Sequence, residues 1–235
     1  MSLAMVENRG PTGGLQFVGA KSANKSGSTS GWTSLSLSSG LAGGIDTSVA
    51  DGDLIIAIYV FATGEVTYDA ASARDGNTST AYTLIGRQDE FNVWCSESYA
   101  GYRFADGDTD VEFGRSFSSG DDCVVAAFVY RGAGTPHSYS DTTNGSSGVV
   151  NHTTATVAAG DILLNWGVAA SFTGRAFTDP GDLDYWITRT NSNCNFGAGH
   201  KLDASPSFDG TAWGFTGGDS SNWTSISARV EIPPA

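Results

Sequence analysis

Gly52-Asp53-Leu54-Ile55-Ile56-Ala57-Ile58-Tyr59-Val60-Phe61-Ala62 decides the fold. The run is short, nearly unbroken in apolar side chains and rich in β-branched residues, and Asp51-Gly52-Asp53 leads into it. Those features read as a strand covered on both faces. An echo lies in the second half: Gly160-Asp161-Ile162-Leu163-Leu164-Asn165-Trp166-Gly167-Val168-Ala169-Ala170. A third apolar run, Cys123 to Tyr130, is closed by Arg131-Gly132-Ala133-Gly134.

Shorter stretches fill the space between. Leu35 and Leu37 alternate with Ser34, Ser36 and Ser38, and Asp110-Val111-Glu112-Phe113 alternates likewise, the period of a half-buried strand. No segment of helical length carries apolar residues at the i, i+3, i+4, i+7 spacing. The expectation is an all-β fold: an antiparallel, jelly-roll-like β-sandwich of about a dozen strands. The two halves read in parallel. Tyr82 to Arg87 falls against Tyr185 to Arg189, and Tyr99-Ala100-Gly101-Tyr102-Arg103-Phe104 against Gly197-Ala198-Gly199-His200-Lys201-Leu202. Residues 1–14 read as a tag and lead-in, and residues 15–235 as a single sandwich domain with pseudo-repeat halves at 33–134 and 149–235. The alternative is two small β domains divided near the Ser/Thr/Asn/Gly stretch at 135–148.

Composition bounds the function. Charged residues are 16% of the chain and there are 31 Gly, so the polar surface is built from Ser, Thr, Asn and Gly. The formal net charge is −13, from 12 basic and 25 acidic residues. Such a chain repels phosphate backbones and anionic membrane surfaces, which argues against nucleic-acid partners. No apolar run approaches the ~20 residues of a membrane span. The first residues carry no basic-then-apolar signal pattern, so synthesis in a bacterial cytoplasm is expected. Cys95, Cys123 and Cys194 are odd in number and widely spaced, which favours buried thiols over a disulfide framework, although Cys95 and Cys123 fall in expected strands that would be neighbours.

No motif supplies chemistry, and no catalytic residue is expected. Gly114-Arg115-Ser116-Phe117-Ser118 lacks the final glycine of a nucleophile elbow. His137, His152 and His200 have no metal-ligand spacing. Gly132-Ala133-Gly134 and Gly197-Ala198-Gly199 lack a third glycine and a following helix. Asp106, Asp108 and Asp110 resemble the start of a calcium loop, yet Val111 and Phe117 occupy the positions that need Gly and Glu. They form a weak calcium candidate; otherwise no cofactor is expected. Asp51, Asp53, Asp161, Asp182 and Asp184 read as turn formers ahead of strands.

Aromatics remain. Trp94, Trp166 and Trp186 lie within expected strands and read as core, whereas Trp32, Trp213 and Trp223 sit beside Gly, Ser and Asn loops. The latter three are the candidate ligand-binding residues, because an exposed ring stacks on a sugar or is buried by a protein partner.

Ala50-Asp51-Gly52-Asp53-Leu54-Ile55-Ile56-Ala57, then Tyr82-Thr83-Leu84-Ile85, then Tyr99-Ala100-Gly101-Tyr102-Arg103, then Val124 to Tyr130 with Arg131-Gly132, form an order that resembles the β-sandwich proteins encoded in tailed-phage, prophage and gene-transfer-agent structural gene clusters. The resemblance covers roughly residues 15–232, but its motifs specify strands and turns rather than a site. It implies a non-enzymatic virion structural or surface protein of the tail or head fibre type. Its partners would be copies of itself, other virion proteins or a host-surface glycan. A carbohydrate-binding module is the alternative, and a polysaccharide-degrading enzyme the third reading.

Overall fold

The computed structural model describes residues 14–26, 31–63, 71–91, 95–115, 122–139, 149–150, 158–170, 176–190, 194–202, 213–216 and 224–235. The described residues form strands and turns, with no helix among them. The first half holds β1 (Gln16–Ser26), β2 (Gly31–Ser36), β3 (Leu54–Thr63), β4 (Ser72–Asp75), β5 (Thr83–Phe91), β6 (Cys95–Phe104), β7 (Asp110–Arg115) and β8 (Asp122–Arg131). The second holds β9 (His137–Tyr139), β10 (Val149–Val150), β11 (Ile162–Ala170), β12 (Ala176–Phe177), β13 (Tyr185–Thr190), β14 (Cys194–Lys201), β15 (Trp213–Thr216) and β16 (Thr224–Ile232).

The strand order is the same in both halves. A five-stranded sheet β1-β8-β3-β6-β5 has a three-stranded companion β2-β7-β4; a five-stranded sheet β9-β16-β11-β14-β13 has a three-stranded companion β10-β15-β12. The pairings are antiparallel throughout. First strand beside eighth, third between eighth and sixth, and second and fourth flanking seventh is jelly-roll order. The all-β sandwich read from the sequence is therefore present, with more strands than the hydrophobic runs announce. Strands as short as β9, β10 and β12 carry no pattern long enough to stand out. β1 precedes the first expected half in sequence and completes its large sheet against β8.

The two five-stranded sheets pack on each other, which makes four layers with three cores. Leu54, Ile56, Ile58, Val60, Val124, Ala126 and Phe128 meet Ile162, Leu164, Trp166, Val168, Phe196, Ala198, Val230 and Ile232 in the central core. The alternate residues of β3, Ile55, Ala57, Tyr59 and Phe61, join Leu35, Val111, Phe113, Val125, Ala127 and Val129 in the first sandwich. This double burial is why β3 reads as a continuous apolar run. Among the described residues of the second sandwich the apolar cluster holds Ala169 and Phe177, with Leu183 and Trp186 against them. The Trp166 indole N–H also donates to the Ser98 hydroxyl across the central core at 2.7 Å.

The turns entering β3 and β11 are alike. Gly52 has φ +82° and Gly160 φ +92°, the left-handed region that glycine enters without strain. Asp53 N–H bonds to Ala50 O, and Asp161 N–H to Ala158 O, closing the two turns identically.

Candidate functional site

The three candidate tryptophans are not gathered. β2, with Trp32, and β15, with Trp213, belong to the outermost layers on opposite sides of the stack. Trp223 lies outside the described residues, as do Trp94 and His152. Trp32 is 44% exposed, and its ring lies across Gly114, where a Cβ would stand 2.5 Å from it. The Arg74 guanidinium sits 3.9 Å from the ring centroid, while Arg74 Nε donates to Glu112 Oε2 at 2.7 Å. Trp32 is thus one member of a cross-strand surface ladder, already stacked on a cation.

The acidic loop is a closed turn. Asp108 is buried; it accepts from Arg103 Nε at 2.9 and 3.3 Å and from the Asp106 N–H at 2.6 Å. Asp51 accepts from the Gly107 N–H at 2.8 Å, and Asp110 from the Thr109 hydroxyl at 3.1 Å. Among the described residues no three His, Cys, Asp or Glu side chains gather to hold a metal ion. Cys95 pairs with Thr63 and Cys123 with Phe61, on opposite edges of β3. Two strand spacings, about 9.5 Å, are too wide for a disulfide.

Several acids read as turn formers do more than shape turns. Asp53 is 1% exposed and holds Arg131 in a fork, Oδ1 to Nε at 2.9 Å and Oδ2 to Nη2 at 3.0 Å. Asp161, in the matching turn, is also buried, but Pro233 follows Ile232 where Arg131 follows Tyr130. Its neighbours are Glu231 and, more distantly, His137 on β9. Burial, a hydrogen bond shared with Glu231 and the repulsion between the two carboxylates push Asp161 up to about 6. His200 is 1% exposed in the central core. Its Nδ1 is 3.1 Å from the Tyr130 hydroxyl, with Phe17, Phe128 and Tyr185 around it. Burial drives His200 down to about 3, so the ring is neutral.

The largest chemical difference in the molecule appears when the inward faces of the two sandwiches are laid side by side. In the first, Ala57 stands between Gly101 and Ala127; in the second, Asn165 stands between Gly199 and Arg229. The next row holds Tyr99 and Tyr59 in the first and Gly197 and Gly167 in the second. The row after that sets Glu97 and Phe61 against Asn195 and Ala169. Large apolar side chains have given way to glycine and alanine, and small apolar ones to Asn and Arg.

Asn165 is 1% and Asn195 0% exposed, yet among the described residues Asn165 Oδ1 and both polar atoms of the Asn195 amide have no hydrogen-bond partner. The corresponding Glu97 is engaged, accepting the Ala71 N–H at 3.1 Å. A buried amide left unsatisfied costs about 1–3 kcal/mol. Trp186, half-buried on β13, lies across Gly197 and Gly199, where added Cβ atoms would stand 2.5 and 3.0 Å from its ring. It spans ground that Tyr99 covers in the first half, where the Tyr99 hydroxyl sits over Gly101. Among the described residues the cover strands β10, β15 and β12 have 2, 4 and 2 residues, against 6, 6 and 4 for β2, β7 and β4.

The sequence did carry one trace of this face: Asn165 interrupts the apolar run that Ala57 continues in the first half. Comparison with protein-family models, curated proteins and solved structures finds no match.

Proposed function

We propose that the protein is a non-enzymatic contact protein of the kind built into phage-like particles, acting through binding to other particle proteins or to a host surface. One observation carries this reading: a single strand plan is used twice, once around a large apolar cluster that also buries Glu97 and the Tyr82 hydroxyl, and once around a face where Asn165 Oδ1 and the Asn195 amide have no partner among the described residues. The first sandwich gives a rigid support, and the second is the half that recognises. The acidic charge of −13 keeps an extended assembly soluble and away from nucleic acid. Placement of His137 on an exposed edge strand and His200 in the central core supports contact over catalysis. Asp161 and Glu231, hydrogen-bonded to one another, stand closer than the ~5–9 Å that glycosidase carboxyls keep.

Carbohydrate binding is the second reading, favoured by the amide chemistry of the inward face around Asn165 and Asn195. The test of the main reading is to mix the intact protein with phage-like particles and bacterial cells. Co-sedimentation with particles, or competition with their adsorption to cells, is expected. A monodisperse monomer that binds neither particles nor cells overturns it.

A further inference from the structure

We propose that the inward face of β16-β11-β14 in the second sandwich, lined by Asn165, Asn195, Arg229 and Trp186, is a binding site for an uncharged saccharide unit. The inference rests on the contact-protein reading and names the chemistry that the recognising half takes. An amide presents a donor and an acceptor side by side, as a sugar hydroxyl does, so unfilled amide groups match a polyhydroxylated ligand. Asn165 Oδ1 and both polar atoms of the Asn195 amide are buried without a partner among the described residues, while Asn165 Nδ2 donates to Leu163 O at 3.5 Å; both side chains belong to the face turned away from the central core. Gly167 adds no side chain beside them, and the Trp186 ring lies over Gly197 and Gly199. Trp186 supplies an aromatic ring at the same face, on the glycine floor. The charge of −13 disfavours polyanionic glycans and leaves neutral sugars as the chemical class. This site shares no residue with Trp32, Trp213 or Trp223.

The experiment presents the intact protein to an array of neutral and acidic oligosaccharides and follows hits by calorimetry. Selective binding to neutral saccharides is expected, weakened ten-fold or more by Asn195→Ala and by Asn165→Ala, and unchanged by Trp32→Ala. Should either variant fail to fold, side-chain amide signals of the wild-type protein serve instead. The Asn165 and Asn195 Nδ2 resonances are expected to shift and gain exchange protection when the best neutral saccharide is added. Binding of no neutral saccharide, binding only to acidic ones, or unchanged affinity in both folded variants overturns the proposal and leaves ordered water as the occupant. A protein that binds no saccharide but still competes with particle adsorption loses this site while keeping the contact function.

Discussion

Asp53 and Asp161 begin the same turn in the two halves, and their different partners show how far one residue position can diverge. Asp53 is held by Arg131, whereas Asp161 is hydrogen-bonded to Glu231. The second arrangement makes stability depend on pH. Below about 3.8 Asp161 is protonated whether the chain is folded or not; as pH rises to about 6 the unfolded chain ionises first, and stability is lost. His200 works in the opposite direction. Its contribution is complete above 6.5 and is lost as pH falls toward about 3, because the unfolded chain takes up a proton that the buried ring refuses. Each slope is about 1.4 kcal/mol per pH unit, and the two oppose each other between about 4 and 6. Asp161→Asn is expected to leave a protein that weakens on acidification across that window. His200→Gln, which keeps a partner for Tyr130, is expected to shift the slope the other way. Urea midpoints at successive pH values check this; parallel curves for the two variants contradict it. None of this was legible in the sequence, where both acids stand among Gly, Ala and Asp and look like turn residues. A carboxylate's partner comes from a strand distant in the chain.

Strands long enough to carry a pattern were legible, and short ones were not. β3 and β8 are continuous apolar runs because each is covered on both faces, and β11, interrupted by Asn165, meets them across the central core. Ile56, fully buried in β3, points into the core between the halves. Ile56→Ala is expected to cost about 2–5 kcal/mol in chemical denaturation without altering the outer layers. A loss below about 1 kcal/mol would mean that the large sheets do not pack tightly. The candidate site was only partly legible. Trp32 stood out as an exposed aromatic, and the structure places it in a ladder with Arg74 and Glu112. Asn195 and Arg229 were hidden because strand register, not spacing along the chain, brings them beside Ala169 and Asn165. Trp186 was read as core; it lies half-buried over glycines, a role that depends on which face of the sheet it meets.

At the scale of the whole molecule the two sandwiches share their largest core, so neither half is finished alone. Expressed separately, residues 14–135 and 136–235 are each expected to aggregate or to bind hydrophobic dye, since each exposes one side of that core. The intact chain is expected to unfold in one transition. Two well-separated melts would show that the halves are independent. The division of labour between a filled sandwich and a recognising one is the central claim, and the stability of the Asn165→Ala/Asn195→Ala protein tests it most directly. If those amides await a ligand, removing them makes the second interior resemble the first, and the folding free energy without ligand stays level or rises by about 1–2 kcal/mol. A loss of more than about 2 kcal/mol would show that the amides hold the fold together, and would contradict the account.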